Sequence, residues 1–165
     1  MCEVTMGELL DYANDFLNKN YGMNLVVPLL VNGRLTKTYG RFKYERNRFS
    51  GEEKALSVEL NKTFILHNSK EDVFNILRHE LIHYALFELG KPFDDGDSYF
   101  ENELKKHNTY SQSNIVKMKS CYKKFYTYEC KCGVNKTTKN ITRGSYSCRA
   151  CNKNLVVLKI EKKLV

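Results

Sequence analysis

The sequence predicts an α+β chain. An N-terminal helix, a small sheet and one long buried helix form a front domain, and a small cysteine-stapled module follows. Three features carry that reading. An apolar helical run surrounds His79-Glu80-Leu81-Ile82-His83. Alternating or β-branched runs lie between residues 24 and 60. The charge balance then reverses, with 12 Lys/Arg against 17 Asp/Glu in residues 1–103 and 15 against 2 in residues 104–165. The predicted domains are 1–112 and 113–165, divided within Asn108-Thr109-Tyr110-Ser111-Gln112-Ser113-Asn114, a stretch of linker composition.

A chain of 165 residues with 42% hydrophobic content suits one core and a small appendage. No apolar run approaches the roughly 18 residues of a membrane span, and Met1-Cys2-Glu3-Val4-Thr5 lacks a charged-then-apolar leader pattern. The expectation is a cytoplasmic protein without membrane contact. No heptad marks a self-association face, so a monomer is expected.

Taken in order, Thr5-Met6-Gly7-Glu8 has capping-box form, and Leu9, Leu10, Ala13, Phe16 and Leu17 follow at helical spacing. A helix is predicted over about residues 6–20. Asn32-Gly33 separates the runs 24–31 and 34–44 and predicts a hairpin. Pro28 confines the first strand to an edge or a bulge. Arg34, Lys37, Arg41, Lys43, Arg46 and Arg48 read as its solvated face. Residues 51–54 read as a turn and 55–60 as a further strand; at a sheet edge, such a strand can take up a peptide by strand addition. Ser69, followed by Glu71 and Asp72, opens a helix. Val73, Phe74, Ile76, Leu77, Leu81, Ala85, Leu86 and Leu89 cover much of its circumference, so it is buried, and Gly90 and Pro92 end it. Another helix is expected over about residues 99–107, with His107 on its surface.

The buried helix carries the chemistry. Positions four apart lie one turn apart on one face, so His79 and His83 can direct two imidazoles at one metal ion. Glu80 adjoins them as a proton acceptor. Neutral nitrogens, an open coordination position and a carboxylate are what zinc-assisted hydrolysis requires. The following loop, Asp94-Asp95-Gly96-Asp97, offers a carboxylate as third ligand: Asp95 or, alternatively, Asp97. Gly96 frees the loop to turn back, and the remaining acids suit a helix cap.

In the basic part, Cys130-Lys131-Cys132 and Cys148-Arg149-Ala150-Cys151 stand fifteen residues apart. Two thiol pairs at that separation match a closed, structural zinc site of ribbon type, although the first pair is one residue short. The metal would supply most of the module's folding energy. Residues 155–158 read as its last strand, and Cys2 and Cys121 as free thiols. Lys117, Lys119, Lys123 and Lys124 interleave with Tyr122, Phe125, Tyr126 and Tyr128, and Arg143 and Arg149 follow. Cations for phosphates and rings for base stacking suit DNA, single-stranded or at single/double junctions. The alternative is an apolar seam that anchors the module.

Together these pieces resemble the SprT-like metallopeptidase family, which includes Spartan, a protease of DNA–protein crosslinks. The resemblance covers most of the chain, and His79-Glu80-Leu81-Ile82-His83-Tyr84 with Gly90-Lys91 looks like the bacterial branch. It implies a zincin-like metallopeptidase domain and a zinc ribbon, with one catalytic and one structural zinc. By that likeness His79 and His83 are zinc ligands, Glu80 is the general base, and Cys130, Cys132, Cys148 and Cys151 hold the second zinc. The family places a third histidine in the loop after the helix. Here Asp95 stands in its place, which is a departure. The implied function is a zinc endopeptidase acting on DNA-bound or DNA-crosslinked proteins. The alternatives are a non-catalytic, zinc-containing nucleic-acid-binding protein, or a small-peptide metallopeptidase unconnected to nucleic acid.

Overall fold

The structure, a computed structural model, describes residues 4–115, 122–137, 141 and 146–164. It separates into two compact units, Met1–Ile115 and Val116–Val165. The first contains α1 (Met6–Tyr21), β1 (Leu29–Asn32), β2 (Gly40–Arg46), β3 (Glu53–Asn61), α2 (Lys62–His67), α3 (Lys70–Glu88) and α4 (Ser98–Lys106). The second contains β4 (Tyr122–Cys130), β5 (Gly133–Thr137) and β6 (Val156–Leu164).

Helix α1 begins as its capping box demands. The Thr5 hydroxyl accepts the Glu8 amide and the Glu8 carboxylate accepts the Thr5 amide. Lys70, at the start of α3, pairs with the same carboxylate and, with Thr5, holds it down to about 2. Helix α3 starts at Ser69, whose hydroxyl accepts the Asp72 amide. It ends where Gly90 takes a left-handed φ of 61°. It is the axis of the unit, touching α1, α2, α4, β2 and β3. Its buried residues include Val73, Ile76, Leu77, Leu81, Ile82, Ala85 and Leu86. Ile82 and Leu86 join Phe100 and Leu104 of α4 in one apolar cluster, against which Phe16, Tyr21 and Phe93 pack.

The sheet differs from the expected hairpin. Strand order is β1-β3-β2, so β3 lies between the strands that Asn32-Gly33 was expected to join. β1 pairs with β3 in parallel and β2 pairs with it antiparallel. The physical reason lies in β3, which is buried along most of its length and gains most at the centre. Asn32 is also diverted: its amide donates to Glu59 at 2.7 Å and its carbonyl oxygen accepts the Arg34 amide at 2.8 Å. Asn61 then pins the loop through the carbonyls of Leu35 and Thr38. The hairpin that does form joins β2 to β3 around Asn47 and Gly51, with Gly51 at φ 74°. Glu53 and Lys54 belong to β3 rather than to a turn. The edge strands are β1 and β2, so β3 is not the edge that could take a peptide. Pro28 precedes edge strand β1, and its carbonyl accepts the Val58 amide. Two of the six cations are paired: Arg41 with the buried Glu59, and Arg46 with Glu53.

In the second unit β4 is central, antiparallel to β5 and to β6. Cys2 and Cys121 lie outside the described residues. Among the described residues no helix is long and apolar enough to cross a membrane. The α3–α4 seam should be the most sensitive part of the first unit. Ile82→Ala is expected to cost about 3 kcal/mol, read as a lowered midpoint in urea unfolding.

Candidate metal centre

Helix α3 sets His79 and His83 one turn apart, with their Nε2 atoms 3.1 Å from each other. The loop after α3 turns at Gly96, φ 91°, and brings Asp95 Oδ1 to 3.3 Å from His79 Nε2 and 3.8 Å from His83 Nε2. The three donor atoms form one group that could hold a metal ion. Asp97 is not among them. It is the N-cap residue of α4, and its carboxylate accepts the Asp94 amide.

The donor set fits a divalent ion. Each imidazole has its Nδ1 against a backbone carbonyl: His79 against Tyr110 O at 2.8 Å and His83 against Phe93 O. A carbonyl can only accept, so each Nδ1 carries the proton and each Nε2 keeps a lone pair for the shared space. The rings are also locked by Phe100, which is fully buried. His83 stacks on it at 4.0 Å between centroids, and His79 meets it edge-on at 5.3 Å. Burial, and then the neighbouring His79, push the His83 imidazole down to about 4. Burial pulls on His79 in the same direction, but Asp95 and Glu80 outweigh it and raise its affinity for a proton. The negative charge of Asp95 and Glu80 that attracts a proton to His79 also favours a cation at this place, where it would displace that proton.

Glu80 lies beside the cluster, 6% exposed. Its Oε2 accepts the amide of Phe42 on edge strand β2 at 2.8 Å. Gly40 makes room for it: a Cβ there would stand 2.6 Å from both Cγ and Oε1 of Glu80. The contributions of Gly40, Phe42, Phe100, Asn75 and Tyr110 do not show in motif spacing. The one legible signal is Asn75, a polar residue on the buried side of α3 one turn before His79. Tyr110 falls in the stretch expected to be a linker. Instead its amide, carbonyl and hydroxyl are all bonded to α3. His107 is likewise not a surface residue. Its ring packs against Phe16 and Tyr21.

In the second unit Cys130, Cys132, Cys148 and Cys151 converge, with all four sulfurs within 4.8 Å of one another. The short first pair is accommodated by a two-residue turn between β4 and β5, closed at Gly133 with φ 116°. In the second pair the amides of Cys151 and Ala150 hold the Cys148 thiol down to about 7. Its neighbours Cys151 and Cys148 push Cys132 up to about 12. A cation among them would let all four ionise, and a tetrahedral zinc-type ion suits the set.

Of the residues expected to meet DNA, Lys117, Lys119 and Arg143 lie outside the described residues. Lys123 and Lys124 are on β4, opposite Lys163 and Lys162 of β6. Arg149 is exposed between the second pair of cysteines. Tyr126 departs from expectation: it is 4% exposed, so its ring is packed within the unit and not offered for stacking.

Two helix-borne histidines and a loop aspartate, in one chain with a four-cysteine module, define a protein with two candidate metal centres. Residues 6–120 match the model of the SprT-like family, and the chain belongs to that family. Protein SprT-like of Oceanobacillus iheyensis is 29% identical over 157 residues, covering 93% of this chain and 95% of the relative. That of Bacillus subtilis is 31% identical over 126 residues, covering 74% and 77%. That of Streptococcus mutans is 26% identical over 149 residues, covering 89% and 94%. Among solved structures, the metallopeptidase zymogen of Methanocaldococcus jannaschii jannalysin aligns with a TM-score of 0.43 and 22% identity, covering 68% of this chain and 90% of that one.

Two zinc-equivalents per chain are expected by elemental analysis. Cys148→Ser should remove one and leave the ion at His79, His83 and Asp95.

Proposed function

We propose that this protein is a metal-dependent endopeptidase, zinc being the ion, that cleaves proteins bound or crosslinked to DNA. The convergence of His79, His83 and Asp95 beside the buried carboxylate of Glu80 carries the reading. His79, His83 and Asp95 would hold the zinc ion, whose positive charge would acidify water and polarise a peptide carbonyl. The chain does the rest. Glu80 takes the proton from water and passes it to the departing amine. The Phe42 amide fixes Oε2 and so the plane of the carboxylate. Edge strand β2, not β3, runs past this carboxylate, and an extended peptide laid along it by strand addition reaches the same place.

The DNA part of the proposal rests on the second unit. Strand register sets Lys123 opposite Lys163 and Lys124 opposite Lys162, four cationic residue types on two paired strands. With 15 Lys/Arg against 2 Asp/Glu in residues 104–165, the partner that fits is nucleic acid, which would bring its bound proteins to this chain.

One observation favours a second reading. Asp95 is a carboxylate where the family's pattern has a histidine, and a non-catalytic DNA-binding protein with a regulatory front metal would tolerate that change. Incubation with DNA-bound protein substrates, with and without single-stranded DNA, separates the two. Glu80→Gln should retain its metal and lose about 10²–10⁴-fold in cleavage rate. Equal behaviour of wild type and variant rejects the protease. Gly40→Ala should keep both metals while its Cβ displaces Glu80, lowering the rate by about 10²-fold at unchanged metal content.

A further inference from the structure

The segment that follows α4 is tied to α3 by four residues spread over about two turns: Asp72, Asn75, Arg78 and His79. The guanidinium of Arg78 donates to the carbonyls of His107 at 2.8 Å and Asn108 at 3.4 Å, and to the Tyr12 hydroxyl at 2.6 Å. Asn108 takes a left-handed φ of 49°, and the Thr109 amide returns to Leu104 O at 2.8 Å. The chain is thereby folded back along α3. Tyr110 is then held at two points. Its amide donates to Asn75 Oδ1 at 2.7 Å, and its hydroxyl donates to Asp72 Oδ1 at 2.9 Å. Its remaining polar atom, the carbonyl oxygen, meets His79 Nδ1 at 2.8 Å.

We infer that Tyr110 is a positioning residue of the front metal centre, fixed by Asn75 and Asp72 so that its carbonyl sets the tautomer and ring angle of His79. The inference rests on reading His79, His83 and Asp95 as a metal centre. The two imidazoles differ here in an informative way. His83 takes its acceptor, Phe93 O, from the loop that directly leaves α3. His79 takes its acceptor from a segment thirty-one residues along the chain, which has to be anchored before it can orient anything. The anchors come from the helix that bears the ligand. Asn75, 7% exposed, stands on α3 one turn before His79. Without it the Tyr110 amide loses its partner, the carbonyl drifts, and the His79 ring is free to turn Nε2 away from Asp95.

The test is zinc affinity of the full chain, measured by chelator competition, with cobalt absorption to report the front centre and the cysteine-bound zinc as internal control. Asn75→Ala should weaken the front ion by about 10–100-fold and leave the cysteine-bound ion unchanged. Asn75→Asp keeps an acceptor for the Tyr110 amide and should recover most of the affinity. Tyr110→Phe removes only the bond to Asp72 and should weaken the ion by about threefold or more. Wild-type affinity in Asn75→Ala, or an equal loss in the Ala and Asp variants, overturns the inference. If Asn75→Ala does not fold, Tyr110→Phe decides, and wild-type affinity there overturns it. A wild-type chain that binds zinc only at its cysteines overturns the metal-centre reading itself, and the inference with it.

Discussion

The first unit depends on one constraint: α3 carries polar side chains into an apolar interior, and each must find a partner there. Asn75, His79 and Glu80 are all buried on this helix. An unsatisfied polar group in such a place costs about 1–3 kcal/mol, so the surroundings are arranged to satisfy them. Tyr110 and Phe93 supply carbonyls to the two imidazoles. Edge strand β2 supplies an amide to Glu80. The backbone groups that stabilise the fold are therefore the groups that orient the candidate site. The Nε2 atoms of the two rings meet each other and Asp95.

The second unit works by another principle. Among its described residues Val134, Val156, Leu158 and Ile160 are more than half exposed, and few apolar side chains besides Tyr126 and Ile141 are buried. Four sulfurs gathered within 4.8 Å are its densest feature. A metal held by those sulfurs would do the work that a hydrophobic core does in the first unit.

Several elements were legible because their signals are local. The Thr5–Glu8 box, the Ser69 cap and the Gly90 stop mark α1 and α3 within a residue or two of the predicted ends. The pairing of His79 with His83 follows from helical periodicity alone. The hairpin at Asn32-Gly33 was misleading because a turn signal says that the chain turns, not which strand it meets next. The buried β3 competes for the central place and wins it. The stretch 108–114 looked like a linker because, Tyr110 apart, its residues are polar and without a period. Those same residues can instead be held by a partner, and Asp72, Asn75 and Arg78 hold them.

By itself the sequence determined which side chains are available: two imidazoles and a carboxylate on one helical turn, an acidic loop behind them, two pairs of thiols and a basic half. Those follow from composition and from periods of a few residues. Only the tertiary structure decided that Asp95 and not Asp97 faces the histidines, that Glu80 rests on β2 across from Gly40, and that Tyr110 anchors His79. Each of these is a contact between segments whose separation in sequence carries no period. Such contacts are set by how α3, the sheet and the segment after α4 pack together.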